Sequence, residues 1–160
     1  MFEVLDYIAK TIESTLEIVP IVTEDCVACH FGNDKRCFGQ VTIMPIEDDC
    51  VEITLWFHDQ NGDRLLFSDR SLADVLLVCN QLQEHTPWGT LMPYRNESGI
   101  YEIMLRRQVT IDKTDNLDAE LRLLCCDWDQ VCVAVNALSV RPFSDAENDL
   151  LFAETNAQAC

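Results

Sequence analysis

Residues 51–57, Val-Glu-Ile-Thr-Leu-Trp-Phe, alternate strictly between two sets of side chains. Val51, Ile53, Leu55 and Phe57 fall on one side of an extended chain, and Glu52, Thr54 and Trp56 on the other. Such a period of two fits a strand with one face in a core and the other less apolar, the pattern of an antiparallel sheet rather than a doubly covered parallel one.

The flanking sequence supplies further strands and the helices to cover them. Val27, Cys29 and Phe31 alternate with Cys26, Ala28 and His30, which predicts a strand over 26–31; residues 32–39 read as a turn before a strand at 40–46. Glu47-Asp48-Asp49 leads into 51–57, and Asp59 to Asp63, with Asn61-Gly62 inside, is a turn. Residues 88–95 and 100–111 read as a hairpin around Asn96-Glu97-Ser98-Gly99, with Tyr101, Ile103, Leu105 and Val109 on one face.

Three segments switch to helical spacing. Phe2, Leu5, Ala9, Ile12, Leu16 and Val19 form one stripe that Pro20 ends. Ser71 with Asp74 is a capping box opening a helix striped by Leu72, Val75, Leu76, Cys79 and Leu82. Thr114 or Asp115 caps a last helix, carrying Leu117, Leu121, Leu124, Trp128, Val131, Val135 and Leu138, which Pro142 closes. The order is α-β-β-β-α-β-β-α in one α+β domain over 1–143, an antiparallel sheet with helices packed on it, followed by a short helical piece and mobile tail at 144–160.

At 160 residues the chain is long enough for a single core without metal or disulfide support. Acids outnumber bases 28 to 11, a net charge of −17, which repels nucleic acid and anionic lipid and favours a partner with basic segments, or simply keeps the protein soluble. The first residues are acidic where a secretory leader is basic, and no apolar run reaches membrane-spanning length, so the expected location is the cytoplasm.

Cys26-Val27-Ala28-Cys29-His30 has the C-x-x-C-H spacing of a haem attachment site, and with Cys37 it offers four possible zinc ligands. In a strand, however, residues three apart point to opposite faces with α-carbons about 10 Å apart, so the strand reading separates Cys26 from Cys29. A second well-spaced half-site is missing, and nine cysteines, an odd number, form no paired framework. Redox exchange wants its C-x-x-C at a helix N-terminus. The sequence contains no Gly-x-Ser-x-Gly, phosphate-loop or His-Glu-x-x-His motif, and Asp127 and Asp129, two apart on a helix, do not face each other. The expectation is a protein without enzymatic activity or cofactor, with zinc on Cys26, Cys29, His30 and Cys37 as the alternative.

The helix at 75–82, the step Pro87-Trp88-Gly89-Thr90-Leu91 and the strand Tyr101-Glu102-Ile103-Met104-Leu105, together with the element order and acidity, resemble the class I type III secretion chaperones and the YbjN-like bacterial proteins. The chaperone resemblance implies a homodimer that presents apolar patches to an extended segment of a partner protein, with Leu72, Val75, Leu76 and Cys79 at or near the dimer contact; the YbjN-like one implies a stress or regulatory role. An open sheet face or a sheet edge can take such a segment. Trp56, with Thr54 and Glu52 beside it, is the candidate anchor if its face is open; if the long helix covers that face, Trp56 is core instead.

Overall fold

A computed structural model describes residues 2–33, 36–47, 49–59, 61–84, 86–111 and 116–125, the side chains of residue 2 and residues 31–38 aside. Helix α1 is Phe2–Leu16, followed by strands β1 (Ile21–Val22), β2 (Val27–Asn33), β3 (Arg36–Glu47) and β4 (Cys50–Phe57). Helix α2 is Leu72–Gln83, β5 is Thr90–Arg95 and β6 is Tyr101–Thr110; residues 116–125 form a third helical segment, α3. The expected cap at Thr114 or Asp115, the pair Asp127 and Asp129, the stripe from Trp128 to Leu138 and the tail at 144–160 lie outside the described residues.

Among the described residues the six strands make one antiparallel sheet in the order β1-β2-β3-β4-β6-β5. The strict alternation of β4 decides which side is covered. Val51, Ile53 and Leu55 are fully buried and lie in register with Ile43 and Val41 on β3 and with Leu105 and Val109 on β6. These residues join Leu5, Ile8 and Ile12 of α1, Val75, Val78 and Leu82 of α2, and Leu117, Leu121 and Leu124 of α3 in one core. Helices α1, α2 and α3 therefore pack on the same face of the sheet.

The capping box at the start of α2 is present as its sequence implies. The Ser71 hydroxyl accepts from the Asp74 N–H at 3.2 Å, and the Asp74 carboxylate accepts from the Ser71 N–H at 3.0 Å. The Ser71 hydroxyl, which donates to the Asp74 carboxylate at 2.7 Å, and after it the Ser71 N–H hold the Asp74 carboxyl below its ordinary range.

Four local expectations are corrected. Helix α1 ends at Leu16, not Val19: Glu17 has a φ of 57°, and Val19 is 81% exposed rather than part of the stripe. The chain then forms the two-residue β1, paired with Val27 and Ala28, too short to show a period. The hairpin of β2 and β3 extends through the expected turn at 32–39, pairing Gly32 with Cys37 and Asn33 with Arg36 beyond a bulge at Phe31 and Gly32. Cross-strand hydrogen bonding there overrides the weak strand preference of Gly and Asn. Strand β5 starts at Thr90, so Trp88 precedes it, buried, with its indole N–H donated to Glu120 of α3 at 3.0 Å.

Candidate functional site

The even-numbered positions of β4 give the sheet its second face. Gln40, Thr42 and Met44 of β3 lie opposite Trp56, Thr54 and Glu52, while Met104, Arg106 and Gln108 of β6 flank the same three residues on the other side. Met92 pairs with Met104, and Tyr94 with Glu102, continuing the face onto β5. Met44 and Tyr94 are exposed, Met92, Met104 and Trp56 half-buried. The chain has four methionines; apart from Met1, all of them, Met44, Met92 and Met104, stand on this face.

Trp56 is at its centre. Among the described residues no helix covers it: the Tyr94 ring meets it edge-on with centroids 5.2 Å apart, and the Arg64 guanidinium lies 4.1 Å over its ring. Arg64 also pairs with Glu102 at 2.9 Å, and Glu102, only 7% exposed, accepts a second bond from the Asn96 amide at 3.1 Å. Glu52 is held in turn by Arg106, whose Nε donates to it at 2.7 Å with an Nη beside it, and Thr54 lies 3.5 Å from the other Glu52 oxygen. Glu52, Thr54 and Trp56, singled out from sequence, thus share one face whose carboxylates are neutralised by arginines.

At one end of the face the rings of His30 and His58 approach with centroids 6.1 Å apart. Burial pushes the His58 imidazole below its ordinary pKa of 6.5; Arg64 and His30 act in the same direction, against the Gly62 backbone and Asp59. Near Trp88 and Gly89 an open depression of about 610 Å³ extends the face past Met92 and Arg106. Gly89 is pressed so tightly on β6 that a Cβ there would come within 2.9 Å of the Arg106 carbonyl oxygen.

The adjoining sheet edge is blunted at two positions. Gln83 reaches from the end of α2 and accepts the outward Leu91 N–H at 2.8 Å while donating to the carbonyls of Gly89 and Thr86. Two residues on, Pro93 has no N–H to offer. An added strand finds few donors on β5.

The structure divides the four residues expected at a dimer contact. Val75 and Cys79 are buried beneath α2 in the chain's own core, while Leu72 and Leu76 are 45% and 41% exposed. The possible zinc set is divided too. Cys29 points into the core and His30 to the opposite face; Cys26 sits before β2 with its sulfur 3.3 Å from the Thr23 hydroxyl, and the side chain of Cys37 lies outside the described set. Burial, with a smaller contribution from Cys125, pushes the Cys29 thiol up to about 12, which disfavours the thiolate that metal binding needs. Among the described residues no three His, Cys, Asp or Glu side chains converge as a metal site, and no helix is long and apolar enough to cross a membrane.

Among the described residues the six-stranded antiparallel sheet carries its helices on one side, an α+β arrangement similar in fold to YbjN. YbjN from E. coli, a protein proposed to be a transcription regulator, has a solved structure that superposes with a TM-score of 0.50 over 83% of this chain and 89% of that one, at 9% identity. An uncharacterized protein from Methanothermobacter thermautotrophicus gives 0.48 over 82% and 96%, at 10% identity. No protein-family model matches the sequence, and no curated protein is a significant match. At such identities the likeness is one of fold.

Proposed function

We propose that this protein is a non-enzymatic binding module that holds an extended, basic and partly apolar segment of another protein against the open face of its sheet. The observation that carries this reading is the row of Trp56, Met104 and Met92 on three adjacent strands, with Tyr94 against Trp56 and Met44 further along the same face beside Glu52, on the face no described helix covers. Methionine side chains repack around differently shaped partners, and tryptophan supplies anchoring area. The net charge of −17 draws a basic segment and repels a second acidic surface or a phosphate backbone. A regulatory role of the kind proposed for YbjN would on this reading act through another protein rather than through direct contact with DNA.

The exposed pair Leu72 and Leu76 on α2 is the surface we assign to a homodimer. Native mass spectrometry tests it: the reading expects a metal-free dimer near twice 18.3 kDa that Leu76→Glu converts to monomer. For the open face, the test is titration with a synthetic peptide alternating lysine and leucine. Binding that weakens with salt, drops about tenfold in Trp56→Ala and is absent for a glutamate–leucine peptide supports the module; equal binding of both peptides, or none, removes it.

A further inference from the structure

Arg64 belongs to the segment between β4 and α2, and its backbone is fixed. It bridges to His58, the next N–H, of Leu65, is donated to the Phe57 carbonyl at 3.0 Å, and the Asp59 carboxylate accepts the N–H groups of Asn61 and Asp63. Its side chain, by contrast, is 37% exposed and runs out over the open face. There the flat guanidinium meets two groups that suit it, the Trp56 ring beneath and the Glu102 carboxylate; the Tyr94 ring stands edge-on against that indole, and Asn96 holds the other carboxylate oxygen. Glu102 is largely buried, and a buried carboxylate without a cation is costly, so the position always calls for a positive group.

We propose, resting on the binding role of the open face, that Trp56, Tyr94 and Glu102 form a site for a partner's arginine, and that Arg64 occupies it as an internal stand-in until that arginine displaces it. The exchange replaces one guanidinium by another, so the contacts at the box stay the same. The affinity comes from what the incoming segment adds on the methionine surface and from its attraction to the acidic chain. Arginine is selected over lysine because a planar guanidinium can stack on the indole while bonding the carboxylate sideways, which an ammonium cannot do equally well. Arg64, tethered beside the box, competes at the high effective concentration of an intramolecular group.

The experiment is titration of the full chain and its variants with an eight-residue peptide alternating arginine and leucine, followed by calorimetry. Arg64→Ala is expected to bind about tenfold more tightly than the wild type, and Glu102→Gln about tenfold more weakly. The lysine–leucine peptide is expected to gain less from Arg64→Ala than the arginine one. Unchanged or weaker binding to Arg64→Ala, with binding still weakened in Trp56→Ala, overturns the stand-in role while leaving the open face a binding surface. No binding to either the wild type or Arg64→Ala overturns both. Should Arg64→Ala not fold, NMR of the wild type decides: the Trp56 indole N–H and the Arg64 Nε–H must shift together as peptide is added, and an indole shift alone overturns the exchange.

Discussion

The two faces of the sheet are made by the same strands, yet they follow different rules. On the covered face Val41, Ile43, Val51, Ile53 and Leu55 are β-branched or leucine, stiff shapes that fill a fixed space against three helices, each fully buried. On the open face the corresponding positions hold Thr42, Met44, Glu52, Thr54 and Trp56, flexible or polar groups, with arginines from elsewhere in the chain laid over them. The covered face specifies one structure, and the open face leaves room to adapt. On the proposed reading, stability and recognition fall to alternate residues of the same strand.

Substitution on the two faces should separate these roles. Ile53→Ala is expected to cost about 3 to 4 kcal/mol in urea unfolding, since it opens a cavity under the helices, whereas the half-buried Met104, truncated to Ala in the neighbouring strand, should cost about 1 kcal/mol. Equal costs would mean that the open face is covered in solution. Cys29→Ser comes next, placing a hydroxyl without an assigned partner in the core at about 1 to 3 kcal/mol, while Cys26→Ser, outside the core, should be nearly silent. Alkylation at pH 8 reads the same contrast. With their thiols pushed by burial to about 12 and about 11, Cys29 and Cys79 should remain unlabelled in the native protein after Cys26, Cys50 and Cys125 have reacted.

His58 tests the boundary between the faces. Its folded pKa is lowered, so below 6.5 the unfolded chain binds a proton that the folded chain resists; stability therefore falls as pH drops from 6.5 toward the folded value and levels off beneath it. His58→Gln should remove this slope, and urea midpoints of the two proteins between neutral and mildly acidic pH compare it directly. The smallest expected effect is that of Met44→Gln: within about 0.5 kcal/mol in stability, but with weaker binding of the basic peptide. A large loss of stability there would show that Met44 packs as core.

Much of the fold was legible because its signals are local. The alternation of 51–57 marked both the strand and its buried side, and Ser71 with Asp74 marked where α2 begins. The order of the sheet was not legible, because placing β4 beside β6 depends on pairing across about fifty residues, which no local period encodes. The stripe on α2 showed that an apolar face exists but not how much of it the core would take; Val75 and Cys79 went inside, and Leu72 and Leu76 did not. The face of Trp56, Thr54 and Glu52 could be read from parity. Its surroundings could not: Arg64 arrives from a turn, Tyr94 from β5 and Glu102 from β6, brought together only by strand register.

The blunting of β5 by Gln83 and Pro93 has a bearing on what the protein does when concentrated. Cross-β polymers grow by adding one chain after another to unsatisfied strand edges. On this strand the Leu91 N–H is already taken by a side chain from α2, and position 93 carries none. The β5 edge is thereby made a poor template for stacking into fibres of the same chain, and Pro93→Val would restore one of the missing donors.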